Sequence, residues 1–516
     1  MYKNAHAVVP VLPKVSKRLQ KIKAISKLKP TNNIDIDSSQ ESIKRKLNVM
    51  IIGIDSVSRL NMRRTMPTTL EYLQRNDWVE LNGYNKIADN TFPNLMAVLS
   101  GENYSELYRK CTINGSRVMD ICPIIWKEYK EKGYVTAYAE DVPSIGTFNY
   151  LQTGFVEQPT DYYMRPFMLA AHKLLPNRNR DSLPICVGPV SAVDHILNYA
   201  KSFSETFHNY SYFGLFWLNS LSHNNVNLPA ALDFRLNNFL KDLSHIKTYD
   251  NTLIILLSDH GMRFGSIRNT FVGYYEERLP FMFIWVPKWF REKYPNKYEN
   301  LLINRNRLTS PYDVHVTIKR LLDEDYDDGV SKPISKACPN CISLFEKVPR
   351  DRGCEDAGIE PQWCMCPNFK KLEVADPAAI EVGHYLFQYI LNRTKELMVK
   401  DKVDERLCAK RTFNKIVRSY RSIAQLNDSQ VHEQFNRNET VKSDYFVIAI
   451  EVNPGAALFE GTVQVNRTSN DTKPSMKVLS PVSRLNSYLV TSRCTNSKLL
   501  KFYCHCVNLP HSVIVN

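Results

Sequence analysis

Residues 251–265 read NTLIILLSDHGMRFG. The apolar run Thr252–Leu257 has the length and β-branched character of a buried strand. It shows no polar alternation, as expected of a strand covered on both faces of a parallel sheet. The run ends on Asp259-His260-Gly261. Aspartate and glycine are ordinary turn residues, so this ending alone also fits a plain turn with a bystander histidine.

Three other runs end in a similar way. LNVMIIGIDSVSR (47–59) passes into Asp55 and Ser56, and GYVTAYAED (133–141) ends on Glu140 and Asp141. SYFGLFWLNSLSH (211–223) ends on Asn219 and His223. Helical patterns fall between and after them at 66–76, 94–101, 118–133, 192–207 and 228–246, and a proline opens another at 311. This alternation predicts an α/β fold, a three-layer α/β/α sandwich with a mainly parallel central sheet. Ligands of such sheets sit outside the carboxyl ends of the strands. Four strands releasing acids and imidazoles at one edge therefore predict a single polar site.

At 516 residues the chain is long enough for more than one unit. Residues 47–400 are expected to form the α/β body, including a cysteine-rich segment at 337–366. Residues 401–516, with SDYFVIAIEVNPGAALFEGTVQVNR (443–467), read as a smaller β-rich region tied by disulfides. The net charge of +14 is concentrated at the start, where residues 1–47 hold eleven Lys/Arg against Asp35, Asp37 and Glu41. Residues 1–46 are therefore expected to be a basic, poorly ordered arm or an amphipathic surface helix. No interleaved aromatic platform accompanies that charge, so no nucleic-acid partner is expected.

Twelve cysteines accompany eight Asn-x-Ser/Thr sequons, at Asn103, Asn114, Asn209, Asn392, Asn427, Asn438, Asn466 and Asn470. Cys-x-Cys spacing (Cys364/Cys366, Cys504/Cys506) suits zinc poorly, so disulfides in a secreted, extracellular or luminal compartment are the expected use. The start, MYKNAHAVVPVLPKV, lacks a signal-peptide core, and no run of 18 apolar residues follows. A longer form with an upstream type II anchor is the expectation this raises, and membrane contact is expected only through such an anchor.

A second landmark is ADNTFPNLMAVLSG (88–101), where Thr91 stands at the start of a helix pattern. A hydroxyl there either caps the helix or faces an anion among free N–H groups. Taken in order, GIDSVSR (53–59), NTFPNLMAVLSG (90–101), LLSDHGMRFG (256–265) and YYEERLPFMFIWVP (274–287) resemble the alkaline phosphatase superfamily, in its sulfatase-like and nucleotide-pyrophosphatase-like branches. EDVPSIGTFNYLQTGF (140–155), PTDYYMRP (159–166) and CEDAGIEPQWCMC (354–366) further resemble a group of animal members, secreted or type II.

The resemblance implies that Asp55 is a metal ligand, that Thr91 is a nucleophile touching the metal, and that Asp259 and His260 form a late ligand pair. It also implies substrate contacts from Arg59, Asn94, Asn219 and His223. The resemblance also places Arg278 near the anion side, against a plainer reading as an ion pair with Glu276 or Glu277. Carboxylates, one imidazole and a hydroxyl suit a divalent ion, zinc or manganese. One ion is expected. Two-metal phosphodiesterases carry an aspartate four residues before the histidine that matches His223, and here that position is Asn219. His315 falls in a helix pattern and supplies no third histidine. Thr91-Phe92-Pro93-Asn94 also departs from the Cys/Ser-x-Pro-x-Arg of formylglycine sulfatases.

The implied function is a metal-dependent hydrolase or transferase acting on a phosphate ester or diester, glycan- or lipid-linked, through a threonine. The alternative is a catalytically silent secreted protein that binds a glycan or partner on the same scaffold. Sulfate-ester hydrolysis is a smaller alternative.

Overall fold

The computed structural model describes residues 2–28, 46–113, 116–150, 152–322, 334–423, 442–467, 474–488 and 490–507. Its centre is a seven-stranded sheet in the order Val79–Glu80, Met282–Trp285, Thr252–Leu257, Asn48–Ile54, Tyr212–Leu218, Val135–Glu140, Tyr162–Tyr163. The last five strands pair in parallel, and the first two are antiparallel additions at one edge. The four strands with polar endings are thus consecutive neighbours.

The Asn48–Ile54 strand explains the layering. All seven of its residues are buried. Met50, Ile52 and Ile54 point into one apolar cluster with Leu73, Ile196 and Leu240, which come from helices Pro67–Arg75, Ala192–Thr206 and Asp233–His245. Val49 and Ile51 point into another with Leu95, Trp126 and Val314, from helices Thr91–Ser100, Trp126–Glu131 and Pro311–Arg320. Each such side chain stabilises the fold by roughly 1.5–3 kcal/mol. Helices therefore cover both faces, and the three-layer α/β/α sandwich with its mainly parallel sheet is the observed fold. Gly53 interrupts the apolar run because a Cβ there would lie 1.8 Å from the Trp217 ring.

Two helix patterns break where proline intervenes. Residues 118–133 give a short turn at Met119–Ile121 and a helix only at Trp126–Glu131, with Pro123 between them. Residues 228–246 give a turn at Leu228–Ala231 and then the helix Asp233–His245. The basic arm differs from a poorly ordered one over its described part. Pro13–Leu28 is helical, Val9 and Val15 are buried in the first apolar cluster, and Arg18 Nη2 meets Asp161 Oδ2 at 2.6 Å. Residues 29–45 lie outside the described residues.

Contacts divide the chain into two units, Met1–Met262 with Glu276–Trp363, and Arg263–Tyr275 with Cys364–Asn516. The division falls before residue 400 because helix Pro377–Lys400 shares a core with the C-terminal strands. Leu386 and Ile390 are buried with Ile448 and Ile450. That unit is an antiparallel sheet ordered Phe369–Leu372, Thr412–Ser422, Lys442–Asn453, Ala457–Arg467, Ser475–Arg484, closed by the Cys408–Cys504 and Cys494–Cys506 disulfides. In the first unit Cys111–Cys122 and Cys338–Cys341 are also bonded. Among the described residues, no helix is long and apolar enough to cross a membrane.

Candidate metal centre

Asp55 follows its strand directly and is 2% exposed. Its neighbour Ser56 has a left-handed backbone, φ 62°, which costs a non-glycine residue roughly 1–2 kcal/mol. Two hydrogen bonds offset that cost. The Ser56 N–H donates to Asp259 Oδ1 at 3.2 Å, and its hydroxyl donates to Asp55 Oδ1 at 2.6 Å. Asp55 and Asp259 are thus joined through one serine.

Asp259 and His260 follow the adjacent parallel strand and are 1% and 0% exposed. The His260 N–H donates to Asp259 Oδ1 at 2.9 Å. On the ring, Nδ1 donates to the Gly261 carbonyl at 2.9 Å, which leaves Nε2 as the acceptor nitrogen, 3.1 Å from Asp259 Oδ2. Gly261 itself is required by a close approach, since a Cβ would lie 2.1 Å from the Glu276 carbonyl oxygen. The opening tripeptide is therefore more than a turn.

Thr91 is the first residue of helix Thr91–Ser100. Its hydroxyl donates to Asp55 Oδ2 at 3.3 Å and stands 3.5 Å from His260 Nε2. Asp55, Asp259 and His260 each offer a ligand atom, all within 4.8 Å of one another, and all three residues are buried. Burial first, and the Asp55 charge second, hold the Asp259 carboxyl above its ordinary range, while His260, Thr91 and the Ser56 amide oppose the shift. Asp259 Oδ2 is buried, makes no hydrogen bond and faces His260 Nε2 at 3.1 Å. Two neighbouring carboxylates, an imidazole lone pair and an orphaned buried oxygen fit a divalent cation in a mixed N/O shell.

The residues expected around this cage divide. Asn94 spends its side chain on the loop before Thr91, accepting from the Ile87 and Ala88 amides and donating to the Ala88 and Asn90 carbonyls. Its side chain is thus committed to holding that loop. The Arg59 guanidinium donates through Nη1 to the Asn82 carbonyl. Asn219 is 1% exposed and donates to Glu140 and Asp141, so it too is turned to a structural task. His223 lies half-buried beyond the Tyr212–Leu218 strand, with Nδ1 bonded to Asn224 Oδ1. Arg278 pairs with Glu277 at 2.8 Å, the plainer of its readings. His315 is in a helix and bonds the Val98 carbonyl through Nδ1.

Glu140 and Asp141 reach the same sheet edge. Each carboxyl is raised above its ordinary range by burial, and each is satisfied locally, Glu140 by Thr147 and Tyr138, Asp141 by the Asn219 and Ser220 amides. They hold loops. The role of Ser56 was not anticipated, since a serine beside an aspartate carries no signal of a left-handed backbone.

A mainly parallel sheet with carboxylates and an imidazole gathered at its carboxyl edge defines an α/β protein with a buried candidate cation site. The chain belongs to the family described as "Protein of unknown function (DUF229)", whose model matches residues 9–417. No curated protein matches it. Similar solved structures include a protein in the alkaline phosphatase superfamily from Vibrio parahaemolyticus, at 14% identity over 90% of this chain and 91% of that one, TM-score 0.40. Another is the lipoteichoic acid synthase LtaP from Listeria monocytogenes, at 14% identity over 69% and 83%, TM-score 0.39. A third is the C-terminal periplasmic domain of EcEptC from Escherichia coli, at 14% identity over 64% and 91%, TM-score 0.40.

Proposed function

We propose that this chain is a metal-dependent phosphoric ester hydrolase or phosphotransferase that works through Thr91. The observation carrying the proposal is the position of the Thr91 hydroxyl, 3.3 Å from Asp55 Oδ2 and 3.5 Å from His260 Nε2. Asp55, Asp259 and His260 would hold the ion, with Thr91 as a further ligand. A divalent cation bound there makes a coordinated hydroxyl more acidic and offsets negative charge on a transferring phosphoryl group.

The chain's own residues do the rest. Asp55 accepts the Thr91 hydroxyl hydrogen and so aims the oxygen lone pairs away from itself. Asn94 fixes the loop that delivers Thr91, and the helix N-terminus behind it favours an anion. The Thr91 oxygen forms a bond to phosphorus as the bond to the leaving oxygen breaks, and the hydroxyl proton passes through solvent to that oxygen, which departs as an alcohol. Water or an acceptor alcohol then bonds to phosphorus as the Thr91 O–P bond breaks, its proton passing through solvent to the Thr91 oxygen. His223 would meet the substrate's anionic oxygens. One ion suffices in this reading, because Asn219 is committed to Glu140 and Asp141. The substrate is a phosphate ester or diester on a glycan or lipid, met outside the cell or in a lumen, as the sequons and disulfides suggest.

Turnover of bis(4-nitrophenyl) phosphate by recombinant protein loaded with zinc or manganese tests the proposal. Thr91→Ala is expected to lower kcat by about 100-fold or more while the ion stays bound. A protein that binds neither ion, or a Thr91→Ala variant with unchanged turnover, overturns it.

A further inference from the structure

Lys86 and Glu277 form an ion pair at 0% and 1% side-chain exposure, and nothing in the proposed chemistry uses it. Taking a lysine ammonium out of water is costly unless a partner is fixed in place. The location of the pair gives it a task. The Lys86 N–H donates to the Arg278 carbonyl at 3.0 Å, and the Gly261 N–H donates to the Glu277 carbonyl at 3.0 Å. Residues 277 and 278 therefore hold two segments at once, the loop leading to Thr91 and the turn carrying Asp259 and His260. Lys86 Nζ also lies 3.5 Å from the Asp89 carbonyl, two residues before Thr91.

The end of the cysteine-rich segment covers this junction. Lys86 Nζ sits 4.0 Å from the centroid of the Trp363 ring, and the Arg278 guanidinium 5.4 Å from it. The Asn85 side chain donates to the Trp363 carbonyl at 2.9 Å, and Arg278 Nε to the Gln362 carbonyl at 3.1 Å. A cation over an aromatic face is held in direction as well as position.

Resting on the functional reading above, we infer that Lys86 is a positioning residue, whose pairing with Glu277 beneath Trp363 sets the Thr91 hydroxyl against the Asp259-His260 turn. Lys86 is fully buried, with its ammonium on Glu277 and the Trp363 ring. It acts by fixing the distance between two loops that must meet for Thr91 to work, and a misplacement near 1 Å at a reacting atom costs on the order of 100-fold in rate.

Lys86→Met tests this, because Glu277 keeps Arg278 as its partner at 2.8 Å and no carboxylate is left alone. Two readouts are taken on the full chain: amide hydrogen exchange without added metal or substrate, and kcat and KM for bis(4-nitrophenyl) phosphate. Exchange across 86–92 is expected to speed up about tenfold or more, with the rest of the sheet unchanged. On the loaded protein, kcat falls about tenfold or more while KM stays within about threefold. A folded Lys86→Met protein with wild-type exchange and kcat overturns the inference. Should Lys86→Met not fold, Trp363→Leu is expected to speed exchange in the same segment, and unchanged exchange there is equally fatal. If the wild-type protein hydrolyses no diester, the functional reading falls, while the exchange comparison still decides whether Lys86 places the loop.

Discussion

Asp55 and Asp259, at the ends of adjacent parallel strands, carry ligand oxygens within 4.8 Å of each other, and the Ser56 amide and hydroxyl join them. Two buried carboxylates so close repel unless a proton or a cation lies between them. Since burial and Asp55 raise the Asp259 carboxyl, protons compete with metal at a higher pH than for an ordinary aspartate. Metal affinity is therefore expected to weaken as pH falls, with proton release on binding, measured by calorimetric titration with zinc or manganese between about pH 8 and pH 5. Asp259→Asn is expected to weaken binding by roughly 100-fold and to flatten the pH dependence.

Gly261 gives a test of packing. An added Cβ would lie 2.1 Å from the Glu276 carbonyl oxygen, which is backbone and cannot swing aside. Gly261→Ala is expected to cost about 1–3 kcal/mol in chemical unfolding. It is also expected to weaken metal binding, because the His260 ring is anchored on the carbonyl of that same residue.

Asn94→Ala separates loop-holding from substrate contact. The change removes the acceptor of the Ile87 and Ala88 amides. Unfolding free energy is expected to drop by about 2 kcal/mol or more. kcat is expected to fall with KM nearly unchanged, whereas a side chain that touched substrate would move KM.

His315 supplies a pH dependence remote from the cage. Burial lowers its pKa from 6.5 to about 4, with the bond to the Val98 carbonyl opposing the shift. The unfolded chain thus binds this proton more readily than the folded one. The associated stability is complete above about pH 6.5 and is lost as pH falls toward 4, by at most about 3 kcal/mol. Unfolding free energies of wild type and His315→Gln measured across that window are expected to diverge in slope by up to one proton.

Much of the fold was legible because strand burial leaves a direct trace. Runs such as NVMIIGI and TLIILL are apolar on both faces, and sheet topology then brings their carboxyl ends together. The convergence of Asp55 with Asp259 and His260 was legible for the same reason, whereas Thr91 joined them only through the resemblance carried by the ordered motifs. What could not be read was the direction of isolated polar side chains. Asn94, Arg59 and Asn219 stand at the expected places in sequence, yet each is drawn to a backbone carbonyl, a loop amide or an acid that the loop path brings near. The helix Pro377–Lys400 gave a similar difficulty, since nothing in its own pattern says which of two cores will take it.

The hydrogen bond from the His260 ring to the Gly261 carbonyl has a consequence for assembly. It sets the imidazole tautomer before any ion arrives, just as Ser56 spaces the two carboxylates. Such a vessel is moulded in advance. Chelation should empty it without melting it, and stripped protein should refill promptly, unlike small domains that need their cation in order to fold at all.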